Sequence, residues 1–274
     1  MKHVGSYRYL WETGELEKRQ AAAWDRLSAC DLCGHKCGVN RLAGETGICR
    51  ADDTIQVSSF GAHFGEEGPL VGKYGSGTIF FTGCNLQCVF CQNWDISQMR
   101  IGRTISEAEL GKIMISLQKE GCHNINLVTP THYVPQILGA LIAACERGLQ
   151  LPLVYNCGGY ESLFTLELLD GIIDIYMPDF KFFDDDNVSK YTSSNNYSYY
   201  AKQAILEMFR QVGHLKINQE GIATKGLMIR HLIMPSNISS SNKILKWIAD
   251  NIGHKTYISI MAQYYPTHKA FSFN

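Results

Sequence analysis

From residue 76 onward the apolar positions recur in two alternating rhythms. Short runs rich in β-branched and aromatic residues fall at 78–82 (TIFFT), 124–129 (NINLVT), 153–156 (LVYN), 172–177 (IIDIYM), 227–234 (LMIRHLIM) and 256–261 (TYISIM), and each reads as a strand. Between them the period lengthens to that of a helix. One helix opens at Ser106, where Ser106 and Glu109 form a capping-box signature, and Leu110, Ile113, Met114 and Leu117 make its apolar face before Gly121. A second starts at Pro135 and carries Ile137, Leu138, Leu141, Ile142 and Cys145 on one side, closing near Gly148. Further helices are predicted near 161–169, 199–212 and 242–252. Six strands alternating with helices predict a parallel sheet covered by helices, an α/β fold. The polar stretch 184–198 is expected to be a long surface loop, and no sixth covering helix is expected after 256–261, which leaves one sheet edge open.

Residues 1–75 read differently and are expected to form a small module ahead of the α/β domain at 76–274. Residues 15–29 (ELEKRQAAAWDRLSA) predict a helix with acidic residues in its first turn. Behind it stands Cys30-x2-Cys33-x3-Cys37-x11-Cys49, with glycines at 34, 38, 44 and 47 that permit tight turns. Four thiolates in so short a segment suit a tetrahedral zinc or an iron–sulfur cluster equally well. The segment has too few apolar residues to fold unaided, which favours a metal site over loose thiols. His35 is an alternative ligand, with a solvated loop histidine as the expected reading.

Composition narrows the class. An apolar content of 45% over 274 residues supports a sizeable core, and a net charge of −1 supplies no basic field for nucleic acid or a membrane surface. No apolar stretch is long enough to span a membrane, and the N-terminal sequence lacks leader-like features, so a cytoplasmic location is expected. Seven of the ten cysteines fall into two metal-like spacings, which points to ligands in a reducing compartment rather than disulfides.

The second spacing carries the sharpest chemistry. Cys84, Cys88 and Cys91, spaced C-x3-C-x2-C with Phe90 before the last, follow the run 78–82 and the turn residue Gly83. Three thiolates are one too few to close a structural metal site, so one metal position stays open.

The segment GSGTIFFTGCNLQCVFCQN, residues 75–93, resembles the cluster loop of radical S-adenosylmethionine (radical SAM) enzymes, in particular relatives of pyruvate formate-lyase activating enzyme. The resemblance implies a partial (β/α)6 barrel preceded by the cysteine-rich module. It implies that Cys84, Cys88 and Cys91 hold three irons of a [4Fe-4S] cluster whose fourth iron is chelated by SAM. It also implies reductive cleavage of SAM, hydrogen abstraction from a substrate, and an electron donor such as a flavodoxin or ferredoxin. No catalytic side chain is assigned. A glycyl-radical enzyme as protein substrate is one outcome; modification of a small molecule or peptide, with the N-terminal metal relaying electrons, is another. A non-catalytic iron–sulfur electron-transfer protein is the third, and it predicts no SAM binding.

Strand ends of such a barrel share one mouth. Where relatives carry Gly-Gly-Glu, this chain reads Thr129-Pro130-Thr131-His132, so Thr129 and Thr131 are the expected SAM contacts there. Asn156 ends the third strand with an amide for ribose or carboxylate, or for capping a loop. In MPDFKF, Lys181 is expected to meet the SAM carboxylate and Asp179 its amine or the substrate, with a surface ion pair as the alternative. Alternation sends Arg230 and His231 to opposite faces, and His231 is assigned to the cofactor side. Gln263 and Tyr264 are expected at the core or rim of the mouth, and His63, Glu66 and Glu67 in a solvated loop.

Overall fold

The structure, a computed structural model, describes residues 4–186 and 188–272; Asn187 of the expected surface loop, and positions 1–3 and 273–274, lie outside the described residues. The chain runs α1 (Tyr7–Glu12), α2 (Glu15–Asp25), β1 (Ile55–His63), α3 (Gly68–Val71), β2 (Ser76–Phe81), α4 (Trp94–Ser97), β3 (Arg103–Ile105), α5 (Glu107–Lys119) and β4 (Ile125–Val128). It continues through α6 (Val134–Cys145), β5 (Leu153–Cys157), α7 (Leu163–Leu168), β6 (Ile175–Pro178), α8 (Val188–Tyr191), α9 (Tyr197–Val212), β7 (Lys216–Ile217), β8 (Ala223–Leu232), α10 (Ser241–Asn251) and β9 (Tyr257–Met261).

Strands β2, β4, β5, β6, β8 and β9 pair in parallel in that order, with Ile79 opposite Leu127 and Tyr155 opposite Tyr176. These are the six expected strands. Buried on both faces, they read as apolar runs rather than as strict alternation. Helices α5, α6, α7, α9 and α10 lie in the connections. Ser106 accepts from the Glu109 amide, and the Glu109 carboxylate accepts from the Ser106 amide, closing the capping box.

The inner face of the curved sheet gathers Val154, Ile175, Met177, Ala223 and Met228 around Leu70 of α3. A one-turn helix from the N-terminal part thus plugs the inside of the barrel. Strand β1 pairs antiparallel with β2, His63 opposite Ser76, so the expected boundary at residue 75 falls inside the β1–β2 connection. The helix expected at 15–29 is α-helical over Glu15–Asp25 and tightens to a 3-10 turn over Arg26–Ala29. Asp174 ties the N-terminus to the sheet: its carboxylate accepts the Ser6 amide and hydroxyl and the Leu153 amide.

The stretch 184–198 departs from a surface loop. Val188, Thr192, Ser194 and Tyr197 are buried, because the segment packs on the loop that comes after β2: Val89 donates to the Tyr191 carbonyl and Ser193 to that of Leu86. Strand β9 is half-exposed, and residues 262–272 turn back over the same loop, where Thr267 donates to the Phe90 and Cys91 carbonyls and the His268 ring stacks on Trp94. Among the described residues no helix is long and apolar enough to cross a membrane.

Candidate metal and cofactor site

Cys84, Cys88 and Cys91 lie on the loop leaving the C-terminal end of β2, at the mouth where the other parallel strands also end. Gly83 starts the loop at φ +80°, and a Cβ there would lie 2.8 Å from the Cys49 carbonyl oxygen, so only glycine fits between the two cysteine segments. The Leu86 amide donates to the Cys84 sulfur at 3.3 Å, and the Cys91 sulfur lies 3.3 Å from the Ser97 hydroxyl. All three thiols are free, Cys88 buried and the other two half-buried. Burial pushes the Cys84 thiol up to about 11 and that of Cys88 higher, with Lys181 pulling both back. Soft donors without a disulfide, on a loop with an amide aimed at sulfur, suit an iron–sulfur cluster. Among the described residues no three His, Cys, Asp or Glu side chains converge as they would around a single ion, in this set or in the N-terminal one.

Across the mouth, at the end of β6, Lys181 Nζ lies 2.5 Å from Asp179 Oδ2. Burial works against both charges, yet the pair holds Asp179 below the usual carboxylate range and Lys181 above the usual lysine range, the Cys88 thiolate adding to the latter. Both side chains are about four-fifths buried, at 21% and 18% exposure, so this is not the surface pair of the alternative reading. Gly159, at φ +81°, lets this strand end pass: a Cβ there would meet the Asp179 carbonyl at 2.5 Å.

Strand β8 reverses one expectation. His231 is fully buried on the helix side, with Nδ1 2.7 Å from the Phe180 carbonyl and Nε2 2.8 Å from the Ser241 hydroxyl. Arg230 turns inward instead, 3.5 Å from Asp179. Alternation required one residue inside; the register of β8, Arg230 beside Asp179 and opposite Ser259, decides which. The second correction comes with the first. Glu66 and Glu67 are not solvated: their side chains are 7% and 9% exposed, at 3.6 and 3.5 Å from Arg230, with His63 3.7 Å from Glu66. Nothing local marks them, since their partner lies more than 160 positions along the chain.

Thr129 sits at the end of β4 with φ +58°, a left-handed conformation that costs a β-branched residue on the order of 1–2 kcal/mol, and its amide donates to the Asn156 carbonyl. Asn156 is buried on the inner face, two positions after Val154. Thr131 is fully buried with its hydroxyl committed to Glu161 at 2.9 Å, which removes that hydroxyl from the mouth. Tyr264 packs on Phe90, as a rim residue would.

Glu161 went unnoticed in the sequence, having no motif around it. It is 2% exposed and takes hydroxyls from Thr131 and Tyr155, yet burial prevails over these donors and lifts its pKa from 4.5 to about 7. The native state therefore holds a proton there that the unfolded chain has lost, and stability falls as pH rises between 4.5 and about 7. The loss amounts to about 3 kcal/mol. Urea unfolding of the Glu161→Gln variant at about pH 5 and about pH 8 checks this: the variant should lose that decline, and an unaltered pH slope would exclude Glu161 as its source.

His35 is not solvated either: its Nε2 lies 2.7 Å from the Asn85 carbonyl and its ring meets Tyr160 edge-on, which joins the N-terminal cysteine segment to the loop after β2.

Residues 78–228, more than half of the chain, match the radical SAM superfamily. The chain belongs to the radical SAM superfamily. The uncharacterized protein MJ0674 of Methanocaldococcus jannaschii is 34% identical over 251 residues, covering 88% of this chain and 67% of that protein. A second uncharacterized protein of that organism, MJ0808, is 24% identical over 277 residues, covering 92% and 76%. A solved structure, "Native anSMEcpe with bound AdoMet", superposes with a TM-score of 0.42 at 9% identity and covers 66% of this chain. This chain spans 48% of that one.

Proposed function

We propose that this radical SAM family member binds SAM on a [4Fe-4S] cluster held by Cys84, Cys88 and Cys91, and takes a hydrogen atom from a substrate at the barrel mouth. The observation that carries the reading is Lys181, a buried, ion-held cation whose charge acts on the thiols of Cys84 and Cys88. When bound, the cluster and SAM supply reductive cleavage to methionine and a 5′-deoxyadenosyl radical, with the electron coming from a donor such as a flavodoxin or ferredoxin. The chain's own residues bind and orient. Lys181 offers a compact cation to the SAM carboxylate, and Asp179 keeps that lysine charged and offers an acceptor to the amine. Asn156 and the strained backbone at Thr129, joined by a hydrogen bond, present polar groups from β5 and β4 to the rest of the nucleoside. The segments 188–198 and 262–272, packed over the cysteine loop, exclude water and oxygen from it.

The finer reading, activation of a glycyl-radical enzyme, is supported by the likeness of residues 75–93 to activating enzymes; a small-molecule or peptide substrate remains the alternative. Anaerobically reconstituted protein given reductant and SAM is expected to release 5′-deoxyadenosine. Absence of both SAM binding and this product would leave only an electron-transfer role.

Lys181→Met keeps the stem of the side chain and removes its charge. SAM affinity is expected to fall by about 1–3 kcal/mol with cluster content unchanged, the scale of a charge-assisted hydrogen bond. Equilibrium SAM binding to the reconstituted variant reads this directly, and parental affinity would return Lys181 to a purely structural pair with Asp179.

A further inference from the structure

We propose that Cys30, Cys33, Cys37 and Cys49 hold a second metal centre, ligated by four thiolates and docked against the wall of the first. The proposal stands apart from the SAM reading, because it rests on other residues.

Three observations carry it. First, the backbone gathers the cysteine segments: the Gly38 amide donates to the Cys30 carbonyl, the Cys37 thiol lies 3.7 Å from that same oxygen, a Cβ at Gly47, two residues before Cys49, would lie 2.7 Å from the Cys37 sulfur, and all four thiols are free. Free thiols gathered by short turns are the donor set of a four-thiolate site. Second, Arg41 is fully buried. Its guanidinium donates to the Asp52 and His132 carbonyls and points Nη1 at the Cys30 sulfur, 4.0 Å away; among the described residues it meets no carboxylate. A buried cation requires a compensating anion, and four thiolates around a divalent ion or an iron–sulfur core supply net negative charge at that place. Third, the segment has little core of its own: Leu27, Cys30 and Leu32, with Trp24 and Val39 beside them, while residues 42–46 are exposed. Metal binding then supplies the folding energy that burial does not. The four sulfurs do not converge as they would around one ion, so a single zinc requires the loop to tighten, whereas a cluster takes each sulfur on a separate iron. Cys37, exposed and next to Gly38 at φ +69°, has the room to close the set.

The docking is specific. The Cys49 carbonyl abuts Gly83, His35 reaches the Asn85 carbonyl, and Gln87 donates to that of Ile48. Arg41 bonds the carbonyl of His132, whose ring bonds that of Thr82. Each link ends on the loop after β2 or the strand end before it.

The test counts metal. Protein reconstituted with iron and sulfide, and separately with zinc, is compared with its Cys37→Ser variant for iron, labile sulfide and zinc per chain. Because Cys37 is exposed, serine there disturbs no packing. The parent should hold two centres and the variant one. Iron lost together with sulfide identifies a cluster; zinc lost alone identifies a single-ion site. In the Cys84/Cys88/Cys91→Ala background, one centre should remain and disappear when Cys37→Ser is added. Equal metal in parent and Cys37→Ser protein, with unchanged protease resistance across residues 38–47, would overturn the proposal.

Discussion

Replacing Cys84, Cys88 and Cys91 together by alanine is expected to reduce 5′-deoxyadenosine formation to background while the fold survives. The fold survives because the loop is anchored by groups other than the thiols. The Gly83 amide donates to Ile96, Ser193 to Leu86, Val89 to Tyr191, the Asn85 side chain to Tyr160 and the Gln98 side chain to the Cys88 carbonyl. Truncating the buried Cys88 thiol or either half-buried one costs on the order of 1 kcal/mol, small beside a network of that kind. The chemical loss is total for a different reason: no other sulfur stands on this loop to replace a missing ligand, and cluster irons without thiolates are not retained. Iron content, thermal unfolding and product release on the same preparation separate the two effects. Parental product formation by the triple variant would remove the cysteine loop from the reaction, whereas global unfolding would show that the thiols are structural.

Legibility in the sequence tracks the range of the interactions. Strands buried on both faces advertise themselves as apolar runs, and the Ser106 cap and the Cys84–Cys91 spacing are local patterns, so all were readable. Strand β1 was not. Its stretch QVSSFGAH mixes serine, glycine and alanine, and a bulge between Val57 and Ser59 breaks the alternation. Strands β3 and β7, of 3 and 2 residues, are too short to carry a period. The burial of 184–198 was hidden because its apolar residues occur singly among polar ones and find their partners on the cysteine loop. At Arg230 and His231 alternation gave the choice but not its phase, since phase is set by pairing with a distant strand. Glu66, Glu67 and Glu161 lacked any local mark for the same reason. The floor of the site is therefore the part that only the assembled fold reveals.

That floor leads to the second large expectation. Arg230 is the one guanidinium, among the described residues, within 4.0 Å of Glu66, Glu67 and Asp179, and two of those carboxylates lie on the segment carrying the α3 plug. Its contacts are ion pairs of 3.5–3.6 Å rather than tight hydrogen bonds, so their worth lies in charge balance. Arg230→Met removes the balance and keeps the volume; Asp179 retains Lys181, but Glu67 loses its cation and Glu66 keeps only the His63 ring 3.7 Å away, at a cost of about 3–5 kcal/mol. The pH dependence has a definite sign. Burial already raises Glu66 above the usual glutamate range while Arg230 pulls it down. Without the arginine its native pKa rises further, the native state binds a proton that the unfolded state lacks, and stability is lost as pH rises toward neutrality and recovered on acidification. Adding Glu66→Gln and Glu67→Gln to Arg230→Met should return most of the loss, because neutral amides need no counter-charge. Denaturant unfolding of the parent, Arg230→Met, Glu66→Gln/Glu67→Gln and the combined variant gives the coupling energy between Arg230 and the two glutamates. Simple additivity, or a loss independent of pH, would mean that the α3 plug is held by Leu70 and its apolar neighbours alone.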